Sequence, residues 1–176
     1  MNPDDEVLGD ILDNNLLIVF CGTAVGNKSA KDKCYYKHTS NKFWRLFAKI
    51  TGDKLSPKNL DDCKKVLKYG IGLTDLNKKE KGSDTDLTEG GYKIKSFKEK
   101  MLKYSPKLIV FNGKGAAKKF FRTSSISYGM QNEKLGKSAI FIAPSTSSSS
   151  GKDWKEYGLN CWNKIGEKYN EMKKSQ

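Results

Sequence analysis

Three stretches of this 176-residue chain are continuously apolar and end in a turn: LLIVFCG (16–22), LIVFNG (108–113) and AIFIAPS (139–145). A strand with one wet face alternates; a run without alternation is a strand buried on both faces, as in a parallel sheet. YGIGLTDL (69–76) is a shorter fourth candidate. Between these runs the apolar positions recur at helical spacing. In 41–50, Phe43, Phe47 and Ile50 share a face with Trp44 and Leu46 beside it, and in 59–70 Cys63, Val66 and Leu67 group together. Residues 96–106 open on Ser96 and Glu99, a capping-box pair, and stop before Pro106. Residues 113–122 read as a helix directly after a strand, and Trp162, Ile165, Tyr169 and Met172 make a helical stripe expected to dock. Strands alternating with helices predict an α/β three-layer sandwich around a central, mainly parallel four-stranded sheet.

The length suits a single domain, 1–176, with a polar, acidic arm over 1–14. There is no internal repeat. Residues 77–93 are polar and contain glycines, which predicts an exposed loop. The serine run 145–150 would read as a linker in isolation, but it follows a buried strand, and that position suits a functional loop. Ligands of such sheets bind at the carboxyl ends of the strands, here 21–29, 74–76, 112–115 and 144–151.

Charge narrows the partner. Lys plus Arg number 33 against 20 Asp plus Glu, a net +13. That balance favours a polyanion through attraction and counterion release, although an anionic membrane surface fits the charge alone equally well. No apolar run approaches the length of a membrane span. The start, MNPDDEVLGD, lacks a basic n-region, so a cytoplasmic location is expected, nucleoid-associated in a prokaryote. Cys21, Cys34, Cys63 and Cys161 form no C-x-x-C pair, and His38 is the single histidine. Free thiols, no metal and no cofactor are therefore expected. The loop GTAVG (22–26) is neither G-x-G-x-x-G nor a P-loop. In isolation it reads as a tight strand-to-helix turn.

The order of segments says more than any one of them. IVFCG (18–22), GTAVG (22–26), HTSNKFW (38–44), LIVFNGKGAAKKF (108–120) and PSTSSSSG (144–151) together resemble the uracil-DNA glycosylase superfamily. The similarity is greatest to its mismatch-specific uracil/thymine branch and to hypoxanthine-acting relatives, and spans residues 16 to 154. The resemblance implies an enzyme that flips a deaminated base out of DNA and hydrolyses its N-glycosidic bond without a metal, acting as a monomer. Uracil is the expected base, with hypoxanthine or xanthine beside it. Gly22, Thr23 and Ala24 would line the base pocket and Tyr36 would stack the base. Ser145, Ser147, Ser148 and Lys152 would contact DNA.

One position departs from the pattern. The family's water-positioning Asn or Asp falls on Ala24, which can neither orient nor deprotonate water. Asp75 and Asn41 are the candidates for the catalytic role. Asp75 is a carboxylate at a predicted strand end, suited to a general base, with a turn-capping Asp as its bland reading. Asn41 opens the 41–50 helix, where an N-cap explains it equally well. The alternative function is a catalytically silent protein that binds uracil-DNA on the same fold. The serine loop has no large residue before Lys152 and Trp154 to act as a wedge, which favours single-stranded or weakly paired substrate.

Overall fold

The computed structural model describes residues 6–175. Five strands form one sheet in the order β2-β1-β3-β5-β4: β1 (Ile18–Val25), β2 (Ile71–Lys81), β3 (Leu108–Asn112), β4 (Gly129–Leu135) and β5 (Ser138–Ala143). β1 pairs in parallel with β2 and β3, and β3 with β5; β4 alone runs antiparallel, beside β5. The three apolar runs are the three central strands. Their alternate residues feed two cores, which is why they do not alternate in polarity. Ile18, Phe20, Leu108, Val110 and Phe141 face one core, whereas Val19, Cys21, Ile109, Phe111 and Ile142 face the other.

Helices close both faces. α2 (Phe43–Thr51) and α7 (Leu159–Lys174) cover the first core through Phe43, Phe47, Ile50, Trp162, Ile165 and Tyr169. The indole of Trp162 stacks on Phe20 at 5.4 Å between centroids. α4 (Ile94–Tyr104) and α5 (Lys114–Phe121) cover the second through Phe97, Met101, Ala116, Ala117 and Phe120. Short helices α1 (Asn27–Asp32), α3 (Leu60–Cys63) and α6 (Gly151–Asp153) join the larger elements. The expected α/β three-layer sandwich is present. All four cysteines are buried free thiols, with Cys34 and Cys63 Sγ 2.9 Å apart.

Several sequence expectations need correction. The sheet has five strands, not four. β4, GMQNEKL, is a mostly exposed edge strand, so it carries no apolar signal, and its charges suit an edge left in water. β2 is longer than the 69–76 run and continues to Lys81, so residues 77–81 are not loop. A bulge follows Asn77: Ala24 pairs with Asn77 and Val25 with Lys81. The supposed capping box is absent, because α4 begins at Ile94 and Ser96 already lies inside it. Residues 1–5 of the acidic arm lie outside the described residues. From residue 6 onward the segment packs along the outer edge of β2: Ile11 and Leu73 exchange backbone hydrogen bonds of 2.9 Å, and Leu8 and Ile11 are buried.

Candidate active site

The chain moves outward from β1 to β2 on one side and to β3 on the other. Such a reversal opens a crevice at the carboxyl ends of the strands. A cleft of about 730 Å³ lies there, lined by the β1 end from Gly22, the loop beyond it, Asn112 to Gly115 and the 145–150 loop. Gly22, Thr23, Ala24, Tyr36, Asn41, Asp75, Ser145 and Ser147 all line it. Ser148 and Lys152 do not; both are exposed outside the lining.

Asp75 sits within β2, opposite Gly22 of β1, and not at a strand end as expected. It is 5% exposed. Burial pushes its carboxyl up to about 6; Lys78 pulls it down and Asp10 pushes it further up. Glycine at position 22 is a steric requirement. A Cβ there would lie 2.4 Å from Asp75 Oδ1.

Beneath Asp75 runs a buried ionic chain. Lys78 is 3% exposed, pairs with Asp10 at 2.8 Å and donates to the Tyr35 hydroxyl at 3.0 Å. Lys100 engages Asp10 and Glu6, and Thr74 Oγ1 donates to Asp10 at 2.6 Å. Burial opposes ionisation of Asp10, but the two lysines prevail and hold its carboxyl below the usual range. Asp10 is thus neutralised locally, and Asp75, which lines the cleft, forms no ion pair among the described residues.

Tyr36 has a left-handed backbone, φ 54°, and its ring stacks on Phe43 at 4.0 Å. Its hydroxyl is buried and, among the described residues, makes no hydrogen bond; burial beside Asp75 pushes the phenol up, so it stays protonated. Asn41 does cap a helix: its Oδ1 accepts from the Phe43 N–H at 2.9 Å, although Lys42 is the residue at the formal cap. It also lines the cleft. His38 is exposed and shares a hydrogen bond of 2.7 Å with Ser40 Oγ.

The serine loop is tied to itself and to β3. Ser145 Oγ accepts from the Ser147 N–H at 3.2 Å, and Ser150 Oγ donates to the Ser145 carbonyl at 2.6 Å. Asn112, the last residue of β3, grips buried Thr146 from both ends of its amide: Oδ1 accepts from the Thr146 N–H and Nδ2 donates to Oγ1, each at 3.0 Å. The sequence reading passed over Asn112 and Thr146. A polar residue closing an otherwise apolar run was the available signal. It also passed over Tyr128 and Asp153, which line the cleft mouth. Lys114 lies over the Tyr128 ring, whereas Lys119 pairs with Glu89. Among the described residues no group of three His, Cys, Asp or Glu side chains is placed to hold a metal ion.

Comparison with known proteins agrees with this geometry. The Uracil DNA glycosylase superfamily matches residues 10–166. The chain belongs to that superfamily. Its fold is similar to the solution NMR structure of a candidate uracil DNA glycosylase from Methanosarcina acetivorans, at a TM-score of 0.62 and 20% identity, over 94% of this chain and 96% of that one. Among the described residues no helix is long and apolar enough to cross a membrane.

Proposed function

We propose that this chain is a monofunctional DNA glycosylase that hydrolyses the N-glycosidic bond of a deaminated base. Uracil is the first candidate and hypoxanthine or xanthine the others. The observation that carries the reading is Asp75: a buried carboxylate, half ionised near pH 6, facing the cleft through the gap left by Gly22. Superfamily membership supplies the class of reaction.

Breaking the bond leaves cationic character on the sugar and negative charge on the base. Asp75, ionised above pH 6, holds a water for attack at the sugar carbon, accepts its proton and stabilises the cation. This restores in β2 the group that Ala24 lacks in the first loop. Asn41 lines the same cleft while its Oδ1 accepts from the Phe43 N–H at the start of α2. Gly22, Thr23 and Ala24 leave room for the base. Tyr36, backed by Phe43, offers it an aromatic face. Ser145 and Ser147 meet the DNA backbone, with Ser148 and Lys152 further out. The protein acts as a single chain on DNA in the cytoplasm or nucleoid.

Ala24 favours a second reading, a protein that binds damaged bases without turnover. Single-turnover assays on oligonucleotides carrying uracil, hypoxanthine, xanthine or thymine separate the two. Alkali-labile abasic sites on one lesion support the glycosylase and name its base. Tight binding with no abasic product across the panel establishes the silent binder.

A further inference from the structure

Tyr157 is 40% exposed, on the π turn Trp154–Gly158 that follows the serine loop. A lone exposed aromatic is ordinary. This one is not alone. Its ring lies 5.2 Å from that of Tyr128, inclined by 43°, and Tyr128 lines the cleft. The Tyr128 hydroxyl donates to Asp153, which fixes the ring from the next element. Lys114 Nζ sits 4.1 Å from the Tyr128 ring centroid. Beside this pair, Lys42 Nζ lies 4.9 Å from the Trp154 centroid, and Lys152 and Lys155 are exposed on the same stretch. Of the acids here, Asp153 is engaged by Tyr128, and Glu156 stands next to Tyr157. The turn is also a packed feature: a Cβ on Gly158 would approach the Trp154 indole to 2.6 Å. π turns of this kind re-aim side chains and recur at functional sites.

Aromatic faces interleaved with lysines, next to a cleft of base size, match the chemistry of an unpaired nucleic-acid strand. Its bases stack on rings and its phosphates meet cations. The serine loop offers no large side chain, and Tyr128 brings an aromatic ring into the cleft lining beside it.

We propose that Tyr157, backed by Tyr128, stacks an unpaired base of the DNA strand flanking the nucleotide held in the cleft, so that single-stranded DNA is the preferred substrate. This rests on the DNA reading of the cleft given above. A stacked base contributes an amount that corresponds to about tenfold in affinity.

The test is equilibrium binding of the full chain to a lesion-free oligothymidylate and to an all-abasic strand of equal length. Tyr157→Ala should weaken the first about tenfold and leave the second unchanged, with Tyr157→Phe near wild type. Leu159→Ala, which truncates an exposed apolar side chain two residues on, should alter neither. Thermal melts confirm that each variant folds. An oligothymidylate affinity within twofold of wild type for Tyr157→Ala, or an equal loss on both strands, overturns the proposal. Because neither probe contains a lesion, a protein that never cleaves can still pass this test. Failure of the glycosylase reading and failure of this proposal are therefore distinguishable.

Discussion

Replacing Asp75 by Asn should make the protein more stable at neutral and alkaline pH. Burial raises the carboxyl from 3.8 to about 6. A carboxyl moved that far costs the folded state about 3 kcal/mol once it is ionised. Below pH 3.8 it is protonated in folded and unfolded chains alike, and the cost is absent. Between 3.8 and about 6 the folded protein keeps a proton that the unfolded chain has lost, so stability falls as pH rises. Above that window the full cost is present. Asn is a neutral near-isostere and never incurs it. Urea denaturation near pH 8 should therefore show Asp75→Asn more stable by up to about 3 kcal/mol, roughly 10 °C in Tm. The advantage should shrink towards zero as pH approaches 4. Equal stability at pH 8, or an advantage that persists undiminished in acid, refutes the argument that Asp75 is held as a destabilised carboxylate. A buried charge kept at such a cost is a pattern found at working groups.

Three further outcomes are expected. Gly22→Ala drives a methyl into Asp75 Oδ1, so excision should fall on the order of a hundredfold, with about 1–3 kcal/mol of stability lost in a urea titration. Asp10→Ala strands Lys78 as a buried unpaired cation and should cost about 3–5 kcal/mol, whereas Lys100→Ala, partly exposed at the end of the same chain, should cost much less in the same denaturation assay. DNA affinity should decline with salt at a log–log slope near −0.9 per phosphate neutralised on a duplex, read by fluorescence anisotropy; a flat profile removes DNA as the target of the +13 charge.

The layers of the fold were legible because the central strands are buried on both faces, and residues such as Val19 and Phe20 must then both be apolar. β4 was invisible for the opposite reason: an exposed antiparallel edge imposes no polarity pattern on GMQNEKL. β2 was truncated at residue 76 because Lys78 looks like a surface residue, and only the tertiary pairing with Asp10 makes it a buried one. At the site, the loops that the motif order marked line one cleft together with Asp75 and Asn41. A polar residue closing an apolar run marks Asn112, but its clasp on Thr146 was not legible, since the partner lies 34 residues on, in the serine loop beyond β5. Nor was the Tyr128–Tyr157 pair, which depends on the placement of an edge strand and a π turn that local pattern does not encode.

The most direct measurement is the single-turnover rate of base release from uracil-containing single-stranded DNA as a function of pH, for wild type and Asp75→Asn. The account predicts that the wild-type rate rises through pH 6 and levels above it, and that Asp75→Asn is slower by about a hundredfold or more, without that rise, while still binding the DNA. A wild-type rate unchanged across that window, or an Asp75→Asn variant that excises at the wild-type rate, contradicts it.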